Sequence, residues 1–263
     1  MERAATAMAR GDVGARVPIT GADEVARLAV AFNLMAAEVT EVDRQRRDLV
    51  ANVSHELRTP ISALKATLEN LDDGVVAPEP QLIRTMLAQT ERLERLVTQL
   101  LDLSRLESGG SPMHVLRFPL AEFLESVADE AALHSPDITY TVDVSPPDLV
   151  LDADPERLHQ VFANLVDNAA RFTPEGGEIV LRARRGDRSV RLEVLDEGPG
   201  ISPAAISRVF ERFYRTDESR SRDEGGSGLG LAIARWVVDL HGGRIRAEQR
   251  DPHGCRMIVD LPH

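Results

Sequence analysis

The run Ser54-His55-Glu56-Leu57-Arg58-Thr59-Pro60 puts a carboxylate next to an imidazole, with a hydroxyl one helical turn further on. At about 100° per residue, the apolar positions Val50, Val53, Leu57, Ile61, Leu64, Leu68 and Leu71 cluster within about 40° of one direction. His55 then falls roughly opposite, exposed by geometry, with Thr59 on its face. Pro60 sits inside the same helical pattern, where it costs a hydrogen bond and tends to kink the axis. A lone exposed His is ordinarily a solvated surface residue. A zinc protease would need a second His four residues on, and Thr59 stands there instead.

A second cluster lies on a helical pattern opening at Pro155, whose buried stripe is Leu158, Val161, Phe162, Leu165 and Ala169. Asn164, Asn168 and Arg171 fall together on one flank of it. Neutral amide oxygens suit Mg²⁺ alongside phosphate oxygens, and an arginine reaches phosphate, so the trio can hold a metal–nucleotide complex. Two glycine clusters follow. Asp196-Glu197-Gly198-Pro199-Gly200-Ile201 begins where a strand ends, so the Asp196 carboxylate can accept hydrogen bonds while the glycines permit close backbone approach. Gly225-Gly226-Ser227-Gly228-Leu229-Gly230 leads into an apolar helix, the arrangement that aims backbone N–H groups and a helix dipole at phosphate. Between them, Phe210-Glu211-Arg212-Phe213-Tyr214-Arg215 precedes a polar stretch, residues 216–224, which reads either as a lid or as a surface loop pinned by two aromatics.

Positioning these residues takes more than one domain. At 263 residues the chain has room for about two, and 43% apolar with 28% charged residues is ordinary globular composition. A net charge of −12 disfavours nucleic acid as a partner. The lone Cys255 excludes internal disulfides and cysteine-based zinc clusters. Lys65 is the only lysine; neither a Walker P-loop nor the strand lysine of Ser/Thr and Tyr kinases is available. No run of 18 apolar residues is present, so the chain as given is expected to be soluble.

Residues 1–40 read as a helix, a connector broken by Gly11, Gly14, Pro18 and Gly21, and a second helix through Val25, Leu28, Phe32 and Met35. A long helical pattern over residues 39–71 and another through Leu82, Met86, Leu93, Leu96, Val97, Leu100 and Leu103 form an αα-hairpin. Its apolar stripe calls for a second hairpin, hence a homodimeric four-helix bundle. Beyond the Gly/Ser/Pro linker at residues 108–112 the pattern becomes an α+β sandwich, helices on one face of a sheet. Strands are expected at 114–118, 138–144, 178–183, 190–195, 244–248 and 256–260, and helices at 120–133, 155–172 and 229–240.

Taken in order, these boxes resemble the cytoplasmic part of a bacterial sensor histidine kinase: residues 54–60 the phosphoacceptor box, 164–173 and 196–200 the nucleotide boxes, 210–213 the phenylalanine box and 226–230 the last glycine box. Asp23-Glu24 and Phe32-Asn33-Leu34-Met35 resemble the C-terminal part of a HAMP linker, which normally follows a transmembrane helix. The resemblance implies a partial HAMP linker over 1–40, a dimerisation and phosphotransfer hairpin over 41–112, and a Bergerat-type ATP-binding domain over 113–263. It implies ATP and Mg²⁺ as cofactors and His55 as phosphoacceptor, with Glu56 deprotonating the far ring nitrogen. Asn168 would hold Mg²⁺ with Asn164 in support, Asp196 the adenine amino group, and Arg171, Gly226, Gly228 and Gly230 the phosphates. Phe172, Gly198, Gly200, Ile201, Phe210, Phe213, Arg215, Ser227 and Leu229 belong to the same nucleotide site. Arg171 departs from the lysine common there, which keeps the charge and changes the geometry. Thr59 matches the position that orients water for dephosphorylating a response regulator, the receiver-domain partner. A membrane anchor would lie upstream of this chain.

Two other readings are compatible with parts of the pattern. A gyrase- or chaperone-type ATPase shares the nucleotide fold but lacks the exposed His-Glu on a dimerising hairpin. A nucleotide-binding scaffold or phosphatase without kinase activity would not need His55, Glu56, Asn164, Asn168 and Asp196 together.

Overall fold

The computed structural model describes residues 6, 8, 10, 14–20, 24–107, 112–215 and 228–263. The chain divides into two compact units, Met1–Thr90 and Glu91–His263. Helix α1 (Glu24–Asp72) is continuous where the sequence pattern suggested two helices, and it runs through Pro60. No glycine or second proline interrupts residues 24–72, so nothing in the backbone demands a break. The helix stops at Gly74, which takes φ +68° and allows the Val75 N–H to close back on the Asn70 carbonyl at 2.9 Å. Helix α2 (Pro80–Glu107) follows, completing the helical hairpin. Val50, Ile61, Leu68, Ile83 and Leu87 are all exposed in the single chain. Ahead of α1, the Asn33 carboxamide pins the connector by accepting from the Val17 N–H (2.9 Å) and donating to its carbonyl (2.8 Å).

The second unit is built on a five-stranded sheet ordered β2-β4-β5-β7-β6. Its strands are β2 (Thr139–Ser145), β4 (Glu178–Arg185), β5 (Ser189–Leu195), β6 (Arg244–Gln249) and β7 (Cys255–Pro262). β2 and β4 run parallel and every other pairing is antiparallel. A separate ribbon pairs β1 (Leu116–Pro119) with β3 (Val150–Ala153). β3 escapes the sequence pattern because its four residues, Val-Leu-Asp-Ala, are too few to show alternation. The helices are α3 (Leu120–His134), α4 (Pro155–Phe172), a single turn α5 (Pro203–Ile206) and α6 (Gly230–Leu240). α3 packs on β2 and α4 packs on α6.

Alternation along the strands sorts the two faces of the sheet. Ile179, Leu181, Leu192, Val194, Met257, Val259 and Ala247 are buried on the helix side with Phe162, Leu165, Ile233 and Val237. The opposite face carries a chain of ion pairs crossing every strand: Asp143 with Arg182 and Arg184, Arg182 with Glu193, Glu193 with Arg256, Arg256 with Glu248, and Arg246 and Arg191 with Asp260. Ile258 lies on that face, fully buried between its cross-strand neighbours Glu193 and Arg246.

Phe162 is fully buried and meets the Phe123 ring edge-on at 5.9 Å, which joins α4 to α3. Phe162→Ala is expected to destabilise this unit by about 3–5 kcal/mol, checked by urea unfolding followed by circular dichroism.

Candidate functional site

His55, Glu56 and Thr59 lie on α1. His55 and Thr59 are exposed and Glu56 is half-buried. The Ser54 hydroxyl donates to the Val50 carbonyl at 2.7 Å and the Thr59 hydroxyl to the His55 carbonyl at 3.4 Å. Such bonds back onto the preceding turn are characteristic of hydroxyls inside helices.

The second group of residues is gathered by α4, the β5 end and the start of α6. Asp154 caps α4 by accepting from the Arg157 N–H, and Pro155 takes the first helical position, where its missing N–H costs nothing. That start sets the phase that turns Asn164, Asn168 and Arg171 to the half-buried flank. The Asn164 amide nitrogen donates to the Gln160 carbonyl at 2.9 Å, which leaves Oδ1 turned toward Gly230. A Cβ at Gly230 would lie 2.7 Å from that oxygen, so the glycine opens the space in front of it. Among the described residues the Asn168 carboxamide makes no hydrogen bond. Arg171 is held at 3.0 Å by Asp167, one turn back on the same helix.

Asp196 is 4% exposed at the end of β5. Its main chain continues the sheet, donating to the Cys255 carbonyl at 3.0 Å. Oδ1 accepts from the N–H groups of Gly198 and Cys255, both at 2.9 Å. Both bonds use one oxygen, and Oδ2 has no partner among the described residues. Burial pushes this carboxyl above the usual range, and the two N–H donors and the nearby Arg250 pull it part of the way back. An accepting oxygen, held rigidly and poor in partners, suits a donor on a ligand.

Each glycine box is cut to a neighbour. A Cβ at Gly198 would meet the Phe172 carbonyl at 3.0 Å, and one at Gly228 the Phe213 backbone at 2.7 Å. Phe213 is itself held at φ +59°, its N–H donating to the Gly228 carbonyl at 2.8 Å. That bond ties the phenylalanine box to the glycine box before α6, where Leu229 is fully buried. Phe210 is buried, while Ile201 and Arg215 are half-buried. Gly226, Ser227 and the polar stretch 216–224 lie outside the described residues.

The sequence pattern overlooked Gly254 and Cys255. Gly254 takes φ +109°, and a Cβ there would lie 2.0 Å from the Asp196 carbonyl, so only glycine fits. Its single legible sign was a glycine immediately before a strand.

Residues 153–263 match the histidine kinase-, DNA gyrase B- and HSP90-like ATPases, residues 45–109 the His Kinase A (phospho-acceptor) domain, and residues 1–41 the HAMP domain. The solved structure of a mycobacterial sensor histidine kinase, MprB, is 33% identical, with a TM-score of 0.50, and 97% of it is covered by 56% of this chain. The chain belongs to the sensor histidine kinases. It is also 37% identical over 256 residues, 97% of its length, to the signal transduction histidine-protein kinase BaeS of Escherichia coli K12, of which it spans 55%. The crystal structure of the histidine kinase ThkA in complex with the response regulator protein TrrA is 28% identical, with a TM-score of 0.68, over 86% of this chain and 66% of that one. Among the described residues no helix is long and apolar enough to cross a membrane.

Two outcomes follow from the charge and burial around Asp196. A raised carboxyl disfavours ionisation in the folded state, so stability is greatest below the unfolded value near about 4 and falls as pH rises through the folded one. Asp196→Asn keeps an oxygen for the two N–H donors, and its unfolding free energy is expected to lose that slope in urea titrations across pH. The neighbouring Cys255 thiol is pushed up to about 12, by burial first and by Asp196 second. It should resist a disulfide reagent at about pH 8 in the native protein and react on denaturation.

Proposed function

We propose that the chain is the catalytic portion of a sensor kinase that transfers the γ-phosphoryl group of ATP to His55 and onward to an aspartate of a response regulator. The observation that carries this reading is the presence, in one chain, of an exposed His55 beside a half-buried Glu56 inside the phospho-acceptor match and a buried, half-satisfied Asp196 inside the ATPase match. The name of the ThkA–TrrA complex supports a response regulator as partner. The domain limits we assign are 1–40 for the HAMP-like linker, 41–112 for the hairpin and 113–263 for the ATP-binding domain.

In this reading Asp196 Oδ2 accepts from the adenine amino group, which the open oxygen favours. Asn168 holds Mg²⁺ with Asn164 Oδ1 in support, and the metal supplies charge neutralisation at the phosphates. Arg171 and the glycine box before α6 receive the phosphate oxygens. Glu56 accepts the proton of one ring nitrogen of His55 while the other attacks phosphorus; a P–N bond forms, the bond from phosphorus to the β–γ bridging oxygen breaks, and ADP leaves. Only the neutral imidazole has the lone pair this requires. Thr59 orients water for hydrolysis of the regulator's aspartyl phosphate. The exposed stripe of Val50, Ile61, Leu68, Ile83 and Leu87 is covered by a second copy in a four-helix bundle, and the HAMP-like segment continues from a membrane anchor in the full-length protein.

Incubation with γ-labelled ATP and Mg²⁺ tests the reading. Label that is acid-labile and base-stable is expected on the wild type and absent from His55→Gln. Asp196→Asn replaces the accepting oxygen with a donor and should weaken ATP binding roughly 10- to 100-fold, the loss of one hydrogen bond to a charged acceptor. Nucleotide binding without label on the wild type would favour the scaffold or phosphatase reading.

A further inference from the structure

The loop that follows β5 has no regular secondary structure over residues 196–202, yet its main chain is gripped at both ends. At the near end the Arg250 Nη1 donates to the Asp196 carbonyl at 2.9 Å. At the far end the Gln249 Oε1 accepts from the Ile201 N–H at 3.1 Å. Both side chains come from the same place, the end of β6 and the turn into β7. That turn is closed by the Arg250 N–H donating to the Gly254 carbonyl at 3.0 Å.

The fit between turn and loop is tight at two glycines. Gly254 is the residue whose missing Cβ admits the Asp196 carbonyl, the atom that Arg250 reaches. Gly200 has φ +81°, and a Cβ there would lie 2.2 Å from the Gln249 Nε2 and 2.4 Å from its Oε1. Glycine is required at 200 by that positive φ, and the Gln249 carboxamide occupies the space its missing Cβ leaves. The four contacts make one interlocking unit: one donor and one acceptor from the turn, and two glycines that let them close.

We infer that Arg250 and Gln249 are positioning residues for the nucleotide site: they fix the main chain of residues 196–201 from behind, so that the Asp196 carboxylate is presented in one orientation before any ligand arrives. The inference rests on the reading of Asp196 as the adenine acceptor. Both side chains act through the loop main chain. Their effect falls on the affinity and base selectivity of the site, and the phosphoryl-transfer step at His55 is left alone, because an interaction made equally in ground and transition states changes KM and not kcat.

The experiment uses the full chain and measures autophosphorylation against ATP and GTP concentration for wild type, Arg250→Ala, Arg250→Lys, Gln249→Ala and Gln249→Glu, with thermal melts alongside. The expected result is a rise in KM for ATP of roughly tenfold in Arg250→Ala and a smaller rise in Gln249→Ala. In both, kcat is near the wild-type value and the preference for ATP over GTP narrows. Arg250→Lys and Gln249→Glu, which keep a donor and an acceptor respectively, should recover most of the loss. Folded variants with unchanged KM and unchanged ATP:GTP preference overturn the inference, as does a loss confined to kcat. Should Arg250→Ala fail to fold, the Gln249 pair decides it on the same criteria. Absence of ATP-dependent label on the wild type refutes the underlying reading instead, a result distinct from either.

Discussion

A carboxylate kept almost wholly out of water at the end of a strand is the constraint around which the second unit is organised. Asp196 has few routes to tolerable energy there, and each leaves a mark on the fold. Strand pairing satisfies its N–H, two backbone donors share its Oδ1, and Gly254 brings the β6–β7 turn into contact with its carbonyl. What remains among the described residues is one oxygen of Asp196 without a partner, held in a rigid frame.

The same economy of space recurs around the site. Gly230 clears the front of Asn164, Gly228 lets the Phe213 backbone close on the start of α6, and Gly198 lies against the Phe172 carbonyl. At Gly228 and Gly198 the approach is backbone to backbone, a distance that a single methyl group would forbid. The helices behind them supply rigidity through Phe162 and its aromatic neighbours. On the opposite side of the sheet, arginines and carboxylates pair across every strand. Most of these pairs are partly exposed and contribute little to stability one by one. Glu193, 2% exposed between Arg182 and Arg256, is the exception, since removing either arginine leaves a buried charge less well matched.

The first unit works by a different logic. Its long helix gives His55 and Thr59 a common exposed face while the apolar stripe of the same helix remains uncovered in one chain. Periodicity alone accounts for this, because a helix separates faces without help from the rest of the molecule. The Asn33 carboxamide adds a tertiary device that pattern could not show, a two-way hydrogen bond to Val17 that fixes the connector.

By itself the sequence determined the order of the boxes, the faces of the helices and most of the strands, since these follow from local spacing and from glycines placed beside charged or apolar runs. It placed His55, Glu56 and Thr59 on one helix and Asn164, Asn168 and Arg171 on another from phase alone. It missed β3, too short for alternation to register, and joined residues 24–72 only in the folded chain. Tertiary structure alone decided which oxygen of Asp196 is left open, that Gly254 lies against it, and that Arg250 and Gln249 reach across to its loop. Those facts depend on the register of β5 against β7, set by pairing from Ser189↔Pro262 to Leu195↔Arg256. Backbone geometry at that range is fixed by the closure of the whole sheet, and no pattern of neighbouring residues records it.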